Sequence, residues 1–133
     1  MTAADAMTPG PLTVTPRTSV GATLRLARDN GISRLPVLEQ ERIVGRLLAL
    51  TPSEATTLSR HELHDALARL TVERAMEPAL TMPAGTPLAD AARRLLHYDA
   101  PEALVTEDDR LVGILTHSDL LRALIPKEPE AAA

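Results

Sequence analysis

Apolar residues recur along this chain with two alternating periods. Between Ser19 and Asn30, Val20, Leu24 and Ala27 fall three to four apart, which predicts a helix with one apolar stripe and Gly31 as its stop. Leu35–Leu38 and Arg42–Leu50 then read as two strands joined by a polar turn. Leu63, Leu67 and Leu70 return to helical spacing and predict a helix over Ser59–Leu70. The sequence of elements then begins again. Leu88, Ala91, Ala92, Leu95 and Leu96 form a second stripe, with Thr86 as N-cap, Pro87 at the first helical position and Asp90 complementing the dipole. Ala103–Thr106 and Arg110–Leu115 follow as a second strand pair. A short extended piece precedes each stripe, Leu12–Thr15 and Leu80–Met82, and a closing helix is expected from Thr51 and from Thr116.

The recurrence extends to residue identities. Laying Pro11–Thr51 over Ala79–Asp119 without a gap matches Leu12-Thr13 to Leu80-Thr81, Arg25 to Arg93, Val37 to Val105 and Val44-Gly45 to Val112-Gly113. Ala6-Met7-x-Pro9 and Ala75-Met76-x-Pro78 match with a one-residue shift. This is a tandem duplication of a β-α-β-β-α unit. Each unit is too small to be comfortable alone, so the two are expected to share one core.

Composition narrows the function classes. The core must be aliphatic, since the chain has no Phe or Trp and one Tyr, Tyr98. The absence of Cys excludes disulfides and thiolate metal sites. A net charge of −4 supplies no field for nucleic acid or anionic membrane. No apolar run is long enough to span a bilayer, and the start lacks a signal-peptide pattern, so a soluble cytoplasmic protein is expected.

The chemistry concentrates in Gly113-Ile114-Leu115-Thr116-His117-Ser118-Asp119. Thr116 and Asp119 have the spacing of a capping box at a helix start. The same pair, fixed at a strand–helix junction, also suits a ligand's hydroxyls, and the spacing fits both uses. The corresponding stretch of the first half replaces Thr116 by Leu48, Ser118 by Leu50 and Asp119 by Thr51. There a separate box, Thr51-Pro52-Ser53-Glu54, is placed to start the helix. The fold therefore does not demand the T-x-S-D pattern, which favours a hook as well as a cap.

The segments "AMTPGPLTVTPRTSV", "GISRLPVLEQERIVGRLL" and "RLVGILTHSDLLRAL", repeated at a fixed offset, resemble the tandem CBS (cystathionine β-synthase) domain pair, or Bateman module. The resemblance covers about Asp5 to Leu124. It implies an α+β (α/β) fold with two β-α-β-β-α repeats packed sheet to sheet about a pseudo-twofold axis. The expected boundaries are repeat 1 over 5–58, a linker helix over 59–70, repeat 2 over 71–126 and a disordered tail over 127–133. It further implies a regulatory sensor binding an adenosine-containing ligand of the AMP, ADP or ATP class as a regulatory ligand rather than a cofactor. A homodimer and a regulated protein partner are implied too. The alternatives are a ligand-free oligomerisation module and an S-adenosylmethionine sensor.

Gly113, Thr116, Ser118 and Asp119 match the family's G-x-x-[ST]-x-[ST]-D pattern. In that family the carboxylate, here Asp119, accepts the ribose hydroxyls as a charge-assisted pair. The hydroxyls of Thr116 and Ser118, with the free N–H groups of the helix start, suit a phosphate. The resemblance places Ile114 on the adenine side and adds Ala79, Leu80, Ala100 and His117 to the cleft lining. It assigns Arg34, in Ser33-Arg34-Leu35-Pro36-Val37, as a counter-charge from the other half, though Ser33 stands where the family often has His. Glu102 occupies the position equivalent to Arg34 in the second half, which argues for a single anion site and an empty first cleft.

The remaining polar clusters favour plain readings. His61 and His64 are spaced as a metal pair without a third ligand, and read as a solvated helix face. Glu107-Asp108-Asp109 reads as a hairpin turn rather than a calcium site. With no nucleophile–base pair and no Gly-rich phosphate loop, catalysis and metal binding are not expected.

Overall fold

Both apolar stripes fold as ten-residue helices. A computed structural model describes residues 1–49 and 60–126. In chain order its elements are α1 (Ala3–Ala6), β1 (Thr8–Pro9), α2 (Val20–Asp29), β2 (Arg34–Glu39), β3 (Arg42–Leu48), α3 (Arg60–Arg69), α4 (Val72–Ala75), β4 (Thr81–Pro83), α5 (Leu88–His97), β5 (Glu102–Glu107), β6 (Arg110–Thr116) and α6 (His117–Leu124). The architecture is mixed α+β. The helix expected from Thr51, with its Thr51–Glu54 box, and the tail 127–133 lie outside the described residues.

Local chemistry explains where the helices begin. Ser19 caps α2 by accepting the N–H of Ala22 at 3.0 Å. Thr23, polar yet fully buried on α2, is accommodated because its hydroxyl donates to the carbonyl of Ser19 at 3.0 Å. Gly31 ends the helix with φ +64°. The start of α5 differs from the expectation for Thr86. Pro87 has extended backbone (φ −55°, ψ 139°) and itself takes the N-cap position, so the helix opens at Leu88. The N–H of Leu88 donates to the carbonyl of Met1 at 3.0 Å, which supplies the acceptor that a cap side chain otherwise provides.

The chain forms two compact units, one of which is discontinuous in sequence. One holds Met1–Gly10 with Leu80–Ala133, and the other holds Pro11–Ala79. This division cuts across the sequential repeats, because the leading segment α1–β1 packs with the second repeat. Its counterpart, Val72–Pro78, lies in the unit of the first repeat. Gly10, the residue that produces the one-residue shift between the repeats, sits at the boundary with φ +60°.

In the first of these units the sheet has the order β1-β6-β5-β4, with β4 parallel to β5 and the other pairs antiparallel. The second unit repeats this order in reduced form. Its β2–β3 hairpin is flanked by single bridges, Val14 to Val37 (parallel) and Arg46 to Glu77 (antiparallel). The extended piece expected over Leu12–Thr15 thus contributes only Val14, whose N–H and carbonyl pair with Pro36 and Leu38. Pro11 and Pro16 flank it and have no N–H to extend the ladder. The hairpins of both units turn through two residues with positive φ, Gln40-Glu41 and Asp108-Asp109, whose twist suits a two-residue loop.

Each unit has its own cluster of buried apolar residues. Met82, Ala91, Leu95, Ala103, Val105 and Leu115 cluster with Ala3 in one unit. Val14, Ala27, Leu35, Val37, Leu47 and Val72 cluster in the other. Each recruits the short helix of the A-M-x-P segment, α1 or α4, which is how so small a repeat completes its burial. On α5 the buried residues are Ala91 and Leu95, whereas Leu96, expected within the stripe, is 77% exposed. The expected linker helix is integrated with its unit. Leu67 of α3 lies 3.4 Å from the Cβ position of Gly21, and the N–H of Val20 donates to the carbonyl of Leu70 at 2.7 Å.

The start of α1 carries a pH-dependent contribution. The Asp5 carboxylate accepts the N–H of Thr2 at 2.7 Å and its hydroxyl at 3.2 Å. The Thr2 N–H, followed by the Thr2 hydroxyl, holds the Asp5 carboxyl below its ordinary value of 3.8. A lowered folded pKa gives stability that is present above pH 3.8 and lost as pH falls through the folded value. Asp5→Asn is therefore expected to lower the unfolding midpoint at neutral pH. Thermal melts across pH 2–6, with about one-unit spacing, should show the gap from the parent closing only below about pH 4.

Candidate ligand-binding site

β6 ends where its polar pattern begins, and α6 starts at once. Thr116, the last residue of β6, is the N-cap of α6, and its hydroxyl accepts the N–H of Asp119 at 3.2 Å. Asp119 returns the bond, with Oδ2 accepting the N–H of Thr116 at 2.9 Å. The capping box is complete. It also fixes the carboxylate, which is only 3% exposed, at the strand–helix junction.

The second oxygen of Asp119 has partners that the motif did not indicate. Oδ1 accepts from Nη2 of Arg122 at 2.5 Å and from the hydroxyl of Thr8 at 3.3 Å. Arg122 was legible in principle, being one helical turn on from Asp119. Thr8 was not, because it lies 111 residues away and arrives through the pairing of β1 with β6, Thr8 opposite Ile114.

Gly113 makes that pairing possible. A Cβ at Gly113 would collide with Sδ of Met7 and come within 2.9 Å of the carbonyl oxygen of Thr8. Gly45 serves the same purpose in the other unit, where a Cβ would lie 2.9 Å from both Met76 Sδ and the carbonyl of Glu77. The Val-Gly identity of the two repeats is thus the seat of the A-M-x-P segment.

The other expected site residues are placed as follows. Ile114 is buried on β6 between Thr8 and Leu104. Ser118 and His117 are exposed on the first turn of α6, and Nε2 of His117 lies 3.0 Å from the carbonyl of Ala100. Ala100 and Leu80 are half-buried and pack against the same core as β6, and the carbonyl of Leu80 accepts the N–H of Leu104 at 2.8 Å. Ser118, His117, Thr116, Asp119, Ile114, Ala100 and Leu80 therefore belong to one unit. Ala79 and Arg34 belong to the other, Arg34 half-buried on β2 opposite Leu48. Glu102 is 2% exposed at the start of β5, opposite Thr116, so a second buried carboxylate stands at the same end of the sheet as Asp119.

A groove of about 570 Å³ lies elsewhere, on α2 and α3, lined by Leu24, Ala27, Ile32, Leu67, Arg25 and His64 among others. It contains none of the expected site residues. His61 pairs with Asp65 at 3.5 Å on the exposed face of α3. Among the described residues no group of three or more His, Asp or Glu is placed to hold a metal, and no helix is long and apolar enough to cross a membrane.

The fold has counterparts among known proteins. The CBS domain family model matches residues 3–48 and 72–126. The CBS-pair protein CBSX2 from Arabidopsis thaliana is 32% identical, with 92% of each chain covered and a TM-score of 0.75. A crystal structure of CBSX2 in complex with AMP is 30% identical over 92% of this chain and 94% of that one, with a TM-score of 0.71. The CBS domain pair of protein MJ0100, solved with 5′-methylthioadenosine and S-adenosyl-L-methionine, shares the fold at 22% identity. There the coverage is 92% and 94% and the TM-score 0.72.

The glycine seat gives a direct test of this construction. Gly113→Ala must push β1 away from β6, and is expected to cost about 1–3 kcal/mol in urea denaturation. Gly85→Ala, where nothing lies within 4 Å, is the control and should stay within about 0.5 kcal/mol of the parent. Equal effects from the two substitutions would remove the close approach as the reason for Gly113.

Proposed function

The chain belongs to the CBS domain family, and from that premise we propose that it is a regulatory module sensing an adenosine-containing ligand of the AMP, ADP or ATP class. The observation that carries this reading is the buried Asp119 carboxylate, held by its own capping box at the start of α6 within an intact T-x-S-D pattern. A related chain, 30% identical, has been solved with AMP. Asp119 accepts the ribose hydroxyls, a charge-assisted contact. The exposed Ser118 and the first-turn N–H groups of α6 receive phosphate, with Arg34 as counter-charge and His117 beside them. Ile114, Leu80, Ala79 and Ala100 line the base side.

One ligand binds per chain, because Leu48, Leu50 and Thr51 replace the polar grip in the first half. Occupancy shifts the population of one arrangement over another and is read by a partner. That partner is a second copy of the chain, and the exposed Leu96, Leu121, Leu124 and Ile125 on and beside α5 and α6 support this. The role is regulatory rather than catalytic, and the setting is cytoplasmic.

A specific observation favours a second reading. Every oxygen of Asp119 is already engaged, by Thr116, Arg122 and Thr8, as in a residue that only caps a helix in a ligand-free oligomerisation module. Thermal-shift and calorimetric titration with AMP, ADP, ATP and S-adenosylmethionine separates the two. A ligand at 100-fold its Kd should add about 2.7 kcal/mol of stability, with one site per chain.

Asp119→Asn should lower that affinity more than tenfold, an effect of about 1.5–3 kcal/mol on binding. Its own stability should fall by only about 1–2 kcal/mol, from the weakened cap and the lost Arg122 pair. Ser19→Ala removes a cap of similar value on α2 and should leave affinity unchanged. Silence across the whole panel would leave only the oligomerisation module.

A further inference from the structure

We propose that Arg122 is a displaceable guard on Asp119 that makes the site prefer phosphorylated adenosine ligands to adenosine itself. This rests on the ribose-binding role proposed for Asp119. A ribose presents two adjacent hydroxyls, and a carboxylate that accepts both needs its two oxygens. Oδ2 keeps one bond within the capping box and retains accepting capacity. Oδ1 is covered by the Arg122 guanidinium at 2.5 Å and by the Thr8 hydroxyl at 3.3 Å.

These two covers are not equivalent. Thr8 is held by the β1–β6 pairing, next to the Gly113 seat, and moves only with that segment. The Arg122 side chain is 67% exposed and is tethered only through its own flexible stem. A pair with one solvated partner is worth less than about tenfold in an equilibrium, so ligand hydroxyls can displace it. The ligand therefore meets Asp119 with a cation already bound, and must release that cation to bind.

The released guanidinium then requires a partner. It projects from α6 one turn beyond the helix start, on a side chain that already reaches Asp119, and Glu102 places a second buried carboxylate at that end of the sheet. A ligand carrying a phosphate on the same ribose brings its own anion to the freed guanidinium, whose fork geometry suits phosphate oxygens. Adenosine offers only hydroxyls, so it displaces Arg122 without compensation. The same residue thus opposes one ligand and assists the other.

Calorimetry of the full chain with adenosine and with AMP tests this, using the parent, Arg122→Gln and Arg122→Lys. In the parent, AMP should bind more tightly than adenosine. Arg122→Gln should tighten adenosine several-fold and weaken AMP, so that the AMP-to-adenosine preference falls by about tenfold or more. Arg122→Lys keeps the charge but loses the fork, and should retain part of the preference. Because the variant leaves the buried Asp119 carboxylate without its counter-ion, the unfolding midpoint of Arg122→Gln should fall modestly, by no more than that of Asp119→Asn. If that variant does not fold, the lysine variant decides by its intermediate preference.

If the parent binds both ligands with equal affinity, or if both affinities move by the same factor in Arg122→Gln, the guard is overturned while the adenosine site stands. If the parent binds neither ligand, the guard falls, and the site falls with it only when ADP, ATP and S-adenosylmethionine are silent too.

Discussion

The whole arrangement depends on one close approach of backbone to backbone. Gly113 and Gly45 leave room for a methionine side chain and a carbonyl oxygen where any other residue would place a Cβ. Through that gap the A-M-x-P segments dock beside β6 and β3. The leading ten residues of the chain thereby complete the unit of the second repeat, and Val72–Pro78 completes that of the first. Burial of Ala3 and Val72, each fully inaccessible, shows that these short helices are part of the cores rather than appendages. Four-residue helices have too little internal hydrogen bonding to persist alone, so tertiary packing holds them.

The same docking sets the chemistry around Asp119. The capping box is local and would form at the start of almost any helix with this sequence. What makes the carboxylate unusual is its burial, and β1 brings Thr8 to donate to its Oδ1, beside the buried Ile114. The two oxygens of this side chain have different kinds of partner. Oδ2 serves the backbone, while Oδ1 faces the side-chain donors Thr8 and Arg122, of which Arg122 is the exposed one. An exposed arginine at this point gives the carboxylate a counter-ion in the absence of ligand. The cost of burying a charge is thus reduced.

The two units solve the same folding problem with different amounts of secondary structure. Where one has strands β1 and β4, the other has single bridges at Glu77 and Val14. The shortfall is met by α3, whose close contact at Gly21 gives α2 a partner for which the other unit has no equivalent among the described residues. The corresponding helix α5 instead carries Leu96 into solvent. The repeat is therefore symmetric in its hairpins and asymmetric in what covers its helices, and an exposed apolar face remains on α5 and α6.

Much of this was legible in the sequence because it is short-range. The periods of Val20-Leu24-Ala27 and Leu88-Ala91-Leu95, the polar turns between the paired strands, and the Thr116–Asp119 box all follow from neighbours a few positions apart. The duplication and the T-x-S-D pattern carried the family and pointed to Asp119. What only the tertiary structure decided involves residues far apart in the chain. The N–H of Leu88 is capped by Met1 rather than by Thr86, and the leading ten residues join the unit of the second repeat, with the break at Gly10. Thr8 reaches Asp119 across 111 residues. The physical reason is that a backbone carbonyl or a threonine hydroxyl looks the same in sequence wherever it occurs. Its role is set by the segment that arrives beside it, and here that arrival was permitted by a missing Cβ at Gly113.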